Sequence, residues 1–216
     1  MTWTADFAYA VGLITTDGNL SKDGRHIDFT SKDREQILNF KKIIKPDVRI
    51  STKKSSNGTI YPRIQFSDVK LYRFLISIGL HPNKSKTIKQ ILVPNKFFAD
   101  FLRGCFDGDG CTYSYWDKRW KSSFLLYMSI TSSSMDFLKW IQKKVSDLYQ
   151  ITGRIKGGGK SAYQLVYAKR GTLMLISKIY HSDTVVCLKR KRFKIEKALG
   201  IINKQAGVEK LEYSLP

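Results

Sequence analysis

Two aspartates in this chain have the types and spacing to act together in chemistry. Asp17 and Asp109 each precede a glycine at the end of an apolar stretch with helical spacing. The phrases that contain them, residues 12–18 and 104–110, read Gly-Leu-Ile-Thr-Thr-Asp-Gly and Gly-Cys-Phe-Asp-Gly-Asp-Gly. Self-similarity at this distance indicates two small domains in one chain. One carboxylate from each domain is the arrangement needed to hold metal ions against both strands of a duplex.

Small residues recur at every fourth position of both apolar stretches. They are Ala8, Gly12 and Thr16 in the first stretch, and Gly104 and Gly108 in the second. Residues four apart share one helix face, where small side chains allow two helices to pack closely. Glycine inside a helix costs about 1 kcal/mol against alanine, which indicates a packing reason for its presence. We therefore expect the two helices to cross closely and to place Asp17 and Asp109 side by side.

The residues that follow each phrase repeat one order of elements. Alternation of apolar and polar residues predicts strands, for example at 25–30 and 124–131, and helical spacing marks 32–44 and 137–148. We predict an α+β fold of two pseudo-symmetric αββαββα repeats, with the motif helices packed at the centre and an antiparallel sheet in each half. The repeats span residues 1–81 and 95–216, and residues 82–94 form the linker.

Composition indicates a partner with many negative charges. Lys and Arg number 38 against 18 Asp and Glu, a net charge of +20 that is spread over both halves. Such a surface is typical of nucleic-acid binding. The three cysteines are odd in number and lack CxxC spacing, which favours a reducing compartment, the cytoplasm, nucleoid or an organelle. No apolar run approaches the length of a membrane span, so we expect an intracellular protein without a membrane partner.

These residues resemble a known family, the LAGLIDADG homing endonucleases, in the single-chain form with two motif copies. The nine-residue motif aligns to residues 10–18 and 102–110, and the order of elements extends the resemblance over nearly the whole chain. The resemblance implies a monomeric, Mg²⁺-dependent hydrolase that makes site-specific double-strand breaks in DNA, leaves short 3′ overhangs and promotes the spread of its own intron. Mn²⁺ or Ca²⁺ is expected to substitute for Mg²⁺ in binding.

The resemblance also implies roles for individual residues. Asp17 and Asp109 are expected to bind the metal and to activate water, each at one scissile phosphate. The metal site is expected to include Gly18 and Gly108 as well. A basic residue in each half is expected to orient water or neutralise developing charge, and we assign that catalytic role to Lys84 and Lys189, which follow the last helix of each half.

The family motif usually has a further acid two residues before the metal-binding aspartate. Asp107 fits this pattern in the second copy, whereas the first copy has Thr15. That position more often caps or tethers the motif helix than contacts metal, so we leave Asp107 out of the catalytic set.

Two sheets side by side would form a saddle, and each can lie in the major groove of double-stranded DNA. Because the two sheets carry different side chains, we expect a long target that is not palindromic. The residues predicted to contact DNA are Arg49, Lys53, Arg63, Gln65, Tyr127, Ser129, Arg154, Lys156, Gln164 and Arg190.

Two other functions use the same scaffold. One is an RNA-binding maturase that helps splicing of an intron RNA, with or without cleavage of DNA. The other is a non-catalytic DNA-binding regulator. Retention of both Asp17 and Asp109 argues against the regulator but not against the maturase.

Overall fold

The computed structural model describes residues 1–45, 47–120, 122–159 and 161–212, with side chains as far as residue 205. Pro46, Lys121, Lys160 and residues 213–216 lie outside the described residues. The first half contains α1 (Ala5–Asp17), β1 (Gly18–Leu20), β2 (His26–Thr30), α2 (Arg34–Ile44), β3 (Ser51–Lys54), β4 (Ile60–Ser67) and α3 (Val69–Ser77). The second half contains α4 (Phe98–Asp109), β5 (Gly110–Trp116), β6 (Phe124–Ser132), α5 (Met135–Tyr149), β7 (Arg154–Gly157), β8 (Tyr163–Tyr167) and α6 (Lys169–Ile179), followed by α7 (Lys189–Glu212).

The predicted αββαββα order is confirmed in both halves. α7 is an addition that the sequence pattern did not predict, because charged residues are spread around the helix and leave only a narrow apolar stripe. Between α3 and α4 the chain forms short 3-10 turns at Lys84–Lys86 and Asn95–Phe97. The division of the chain at residues 82–94 stays a prediction.

Each half forms one four-stranded antiparallel sheet, with strand orders β1-β2-β4-β3 and β5-β6-β8-β7. The apolar side chains of the central strands, such as Ile64 and Phe66 in β4, are buried against the helices, while Gln65 between them is exposed. Ile60 alternates in phase with Ile64 and Phe66, which favours the apolar face, yet it is 64% exposed because it lies at the outer end of β4. Each sheet therefore has one apolar face and one face free to meet a partner.

The two halves meet along the motif helices, which pack directly against each other. A methyl group added to Gly12 would lie 2.2 Å from the carbonyl oxygen of Phe101, and one added to Gly104 would lie 2.1 Å from that of Tyr9. The expected reason for these glycines is thus confirmed, since any larger residue would force the backbones apart. α1 is capped by Thr4, whose hydroxyl accepts a hydrogen bond of 3.1 Å from the amide of Phe7, as a threonine before an apolar helix indicates.

Within the residues that the structure describes, no helix combines the length and the apolar character needed to cross a membrane.

Candidate active site

The close crossing of α1 and α4 brings their carboxyl-terminal ends to one cleft. Asp17 is the last residue of α1 and Asp109 the last residue of α4, and each is followed by a glycine that begins a strand. Both line an open cleft of about 730 Å³, where Asp17 is half-buried and Asp109 exposed. A methyl group on Gly108 would lie 2.9 Å from Asp17 Oδ2, so the carboxylate of the first motif reaches the backbone of the second.

The two carboxylates are held in an environment that disfavours their negative charge. Burial, and then the charge of Asp109, raise the pKa of Asp17 from 3.8 to about 7, against the opposing effects of Lys191, Lys84 and Gln36. Loss of hydration also raises the pKa of Asp109, and the same two lysines oppose that rise. The negative ends of both helix dipoles point at the cleft as well. A divalent cation between the two carboxylates would favour their ionised forms.

Each motif helix has one buried lysine at its end. The ammonium group of Lys84, which is 6% exposed, donates a hydrogen bond to the carbonyl of Gly18. Lys191, which is 8% exposed, donates to the carbonyls of Phe106 (2.7 Å), Asp107 (2.8 Å), Gly108 (3.2 Å) and Gly110 (2.6 Å). Because Gly18 and Gly110 occupy the same place after the two aspartates, Lys84 and Lys191 are pseudo-symmetric partners.

The two lysines differ in how many of their N–H donors are already used in hydrogen bonds. An ammonium group has three N–H donors. All three of Lys191 are committed, because four carbonyls at the end of α4 surround it, whereas Lys84 makes a single such bond to the residues that the structure describes. Burial lowers the pKa of Lys84 to about 8, while Asp17 and Asp109 oppose this, and burial likewise lowers the pKa of Lys191. Lys84 thus keeps free donors beside the cleft, and Lys191 caps α4.

Lys189, which the sequence analysis placed in the catalytic set, lies away from this cleft. Its side chain is exposed, its backbone amide donates a hydrogen bond of 3.0 Å to Glu35, and it lines a different cleft. The register of α7 is the reason, because its buried stripe contains Lys191, Ile195 and Ala198, and Lys189 points elsewhere.

The spacing of apolar residues along the chain does not separate Lys191 from Lys189, because each stands four residues before an apolar residue. A lysine stands four residues before a buried isoleucine in both segments, at Lys84 and Ile88 and at Lys191 and Ile195. The corresponding residue for Lys189 is Phe193, which is 57% exposed. The burial of Ile195, which only the structure shows, is what selects Lys191.

Asp107 is buried behind the site and is tied to protein groups. It is 1% exposed, and Oδ2 accepts hydrogen bonds of 2.8 Å from the Tyr9 hydroxyl and 2.6 Å from the amide of Leu188. The hydroxyl of Thr15, its counterpart, donates only to its own helix at Val11 (2.7 Å). The structure thus places Asp107 as a tether.

The carbonyls of Gly18 and Gly108, assigned to the metal site from the sequence, each accept a lysine hydrogen bond. A carbonyl has two lone pairs, so one remains on each. Among the residues that the structure describes, no group of three or more His, Cys, Asp or Glu side chains is placed to hold a metal ion.

Most residues predicted to contact DNA lie on the free sheet faces. Lys53, Arg154 and Lys156 are exposed on the outer strands β3 and β7, and Gln65 is exposed on β4. Gln164 on β8 is half-buried and pairs across the strands with Lys156. Tyr127 on β6 stacks between two tyrosines that the sequence analysis did not select, Tyr113 and Tyr115, with ring centroids 5.0 and 6.2 Å away.

Four predicted contacts differ from the sequence expectation. Ser129 is 3% exposed, because its cross-strand neighbours cover it and its hydroxyl is directed to the carbonyl of Cys111. Arg49 is exposed but precedes β3 and is not part of the sheet. Arg63 is half-buried in an ion pair with Asp28. Arg190 lines the cleft, but Asp33, the residue before α2, holds it through hydrogen bonds of 2.7 and 2.6 Å.

The walls of the cleft contain further groups that the motif did not indicate. Lys32 and Lys194 add positive charge to its lining, and Lys194 donates a hydrogen bond to the carbonyl of Thr112. Gln36, on the first turn of α2, lines the cleft beside Asp17. The carboxylates therefore lie at the base of a cleft with basic walls from both halves.

Comparison with known proteins supports the fold. No protein-family model matches the sequence, and no curated protein sequence matches it. Among solved structures, the homing endonuclease I-WcaI bound to its DNA recognition sequence is similar with a TM-score of 0.63 and 14% identity, over 89% of this chain and 88% of that chain. I-DmoI in complex with DNA and Mn is similar with a TM-score of 0.54 and 18% identity, over 82% of this chain and 97% of that chain. The N-terminal LAGLIDADG domain of DUF199/WhiA is similar with a TM-score of 0.54 and 20% identity, over 82% of both chains.

The chain is an α+β protein of two pseudo-symmetric repeats around a pair of packed helices. It has the LAGLIDADG fold, in the single-chain form with two motif copies. Since similar structures include both homing endonucleases and DUF199/WhiA, the activity has to be argued from the site.

Proposed function

We propose that this protein is a site-specific endonuclease that makes metal-dependent double-strand breaks by hydrolysing phosphodiester bonds in a long, non-palindromic DNA target. The observation that carries the proposal is the pair Asp17 and Asp109, which end two facing helices in one cleft. A buried lysine stands beside each aspartate. A non-catalytic scaffold would not need two carboxylates at this point, where they repel each other and disfavour phosphate.

The donor set fits a hard divalent cation. Two carboxylates and the free lone pairs of Gly18 and Gly108 are oxygen ligands, which Mg²⁺ and Ca²⁺ prefer over nitrogen or sulfur. Burial and the charge of Asp109 raise the pKa of Asp17 to about 7, and a divalent cation bound to the pair would favour the ionised carboxylate. When bound, Mg²⁺ supplies polarisation of the phosphate and lowers the pKa of water at the site.

The residues of the chain have separate tasks in this proposal. Asp17 and Asp109 hold the cation and orient water at one phosphate of each strand. Lys84 has free donors with which to meet charge that develops on the phosphate. Lys191 fixes the end of α4 and adds positive charge, so it replaces Lys189 as the basic residue of the second half.

The free sheet faces supply the binding surface. In this proposal the strand residues Lys53, Arg154 and Lys156 contact the backbone or the base edges, and Gln65 and Gln164 read bases. The sheets carry different residues at equivalent positions, so the two half-sites should differ. We accordingly propose a monomer acting on an asymmetric site, with short 3′ overhangs and a role in intron homing.

The proposal is tested with duplex DNA from a randomised library, incubated with purified protein in Mg²⁺. We expect cleavage at a recurrent sequence, and a loss of roughly 100-fold or more in Asp17→Asn and Asp109→Asn, as for removal of a principal electrostatic group. If either single variant cut both strands at the rate of the unmodified protein, the assignment of the aspartates would be wrong.

The exposed basic residues on the sheet faces also favour a second candidate, a nucleic-acid-binding protein that does not cleave. In that case the protein would select a duplex sequence from the same library but leave it intact in Mg²⁺ and in Mn²⁺. Selective binding to intron RNA instead of duplex DNA would indicate the maturase.

A further inference from the structure

Gln36 is a buried polar side chain whose amide group faces Asp17 and favours the ionised form of that carboxylate. It lies on the first turn of α2, is 2% exposed and lines the same cleft as Asp17. Among the residues that the structure describes, Nε2 has no hydrogen-bond partner. A buried donor without a hydrogen-bond partner destabilises the folded protein, so an acceptor that enters the cleft beside Asp17 would be stabilised by this amide.

A short chain of hydrogen bonds fixes the orientation of this amide. The backbone amide of Asp33 donates to Ser31 Oγ at 3.1 Å, and Ser31 Oγ donates to Gln36 Oε1 at 2.5 Å. The single hydroxyl proton of Ser31 is thereby committed to the amide oxygen. The NH₂ group must face the other way, towards Asp17, and the reversed amide would set its oxygen against that carboxylate.

The second half has no equivalent group. Asp33 and Ser134 are the residues before the first turns of α2 and α5, so the counterpart of Gln36 is Phe137. Phe137 is 3% exposed and packs in the core. An amide donor is therefore present beside Asp17 and missing from the equivalent position beside Asp109.

We propose that Gln36 Nε2 donates a hydrogen bond to a non-bridging oxygen of the scissile phosphate on the Asp17 side, and that the other strand reacts without this contact. The inference rests on the proposed endonuclease function and makes the two halves of the cleft unequal. A donor prearranged towards a phosphate oxygen gains strength as negative charge develops there. A substrate oxygen would also satisfy the donor that the free protein leaves without a partner.

The test uses the full chain, Mg²⁺ and the duplex selected above, labelled separately on each strand and also placed in a supercoiled plasmid. Gln36→Met keeps the side-chain volume and removes the donor. We expect the strand on the Asp17 side to be cut roughly 10-fold to 100-fold more slowly, which is the loss typical of one hydrogen bond to a charged group. The other strand should be cut at the normal rate, so that nicked plasmid accumulates. Affinity for the duplex in Ca²⁺ should change far less than the rate.

Two further variants separate the proposal from a structural effect. Gln90→Met, at an exposed position outside the cleft, is the matched control and should cut both strands normally. Ser31→Ala leaves Gln36 in place but frees its amide to rotate, so it should slow the same strand by a smaller factor. This variant also carries the test if Gln36→Met does not fold.

The possible outcomes separate the role of Gln36 from the endonuclease function. Equal slowing of both strands, or no slowing of either, in Gln36→Met would overturn the role of Gln36 while the endonuclease function stands. If the unmodified protein does not cleave the duplex, the proposed function fails, and the role of Gln36 fails with it.

Discussion

The carboxylate of Asp107 in the second motif helix accepts a hydrogen bond of 2.6 Å from the backbone amide of Leu188, the residue just before α7. The carbonyl of Leu188 in turn accepts the first hydrogen bonds of that helix, from the amides of Lys191 (2.9 Å) and Arg192 (3.2 Å). α4 therefore sets where α7 begins, and the start of α7 sets where Lys191 lies.

Removal of this tether should loosen the second half of the site. Asp107→Ala leaves the amide of Leu188 and the hydroxyl of Tyr9 without their acceptor, so we expect a loss of about 1–3 kcal/mol in the free energy of unfolding. Urea denaturation measures it, and cleavage should slow as Lys191 moves. Thr15→Ala is the matched control, because Thr15 bonds only within its own helix. Equal effects of the two substitutions would contradict the tether.

Lys191 and Lys189 should behave differently although they are two residues apart. Lys191→Met removes every hydrogen bond from its ammonium group to the end of α4, so we expect lower thermal stability and slower cleavage. Lys189→Met should leave both nearly unchanged, since its side chain is exposed outside the cleft. A large loss of cleavage in Lys189→Met at normal affinity would restore the original assignment.

Stability in the absence of divalent cations should fall as the pH rises. Burial and the charge of Asp109 raise the pKa of Asp17 to about 7, so between 3.8 and that value the folded protein binds more protons than the unfolded one. The contribution of Asp17 to the free energy of unfolding is fully present below pH 3.8 and is lost as the pH rises through about 7. Urea denaturation in EDTA should show this slope, and Asp17→Asn should reduce it. Identical slopes would mean that Asp17 titrates normally.

The crossing of the motif helices should tolerate no added carbon. In Gly12→Ala the new methyl group would lie 2.2 Å from a backbone oxygen, so we expect a loss of about 3 kcal/mol or more, beyond ordinary overpacking. Gly200→Ala is the control, because nothing lies within 4 Å of that position in α7. It should raise stability by about 0.5–1 kcal/mol. A mild effect at Gly12 would mean that the helices separate easily.

Affinity for duplex DNA should fall steeply with salt. Each phosphate contact contributes a slope of about −0.9 in a plot of log affinity against log salt concentration. Lys53→Ala and Arg154→Ala each remove one exposed charge from a sheet face and should each make the slope shallower by about one contact. A flat slope in the unmodified protein would exclude the proposed binding surface.

Much of the fold was predictable because its signals are local. The strands of both sheets alternate with period two, the helices have one apolar stripe, and Thr4 and the turn glycines mark boundaries. The sequence did not predict the environment of residues that are covered or held by a different strand or helix. Ser129 has the alternation of a surface residue, yet its neighbours across the sheet cover it, and Arg63 is held by Asp28 from the adjacent strand.

The sequence by itself determined the duplication, the basic character and the two aspartates, since repeats, charges and motif spacing can be read along the chain. Only the tertiary structure decided which lysine stands at the end of α4, that Gln36 faces the cleft and that Asp107 anchors α7. Each of these depends on a contact between residues far apart in the chain, such as Asp107 and Leu188. Helix register and packing set such contacts, and no local pattern encodes them.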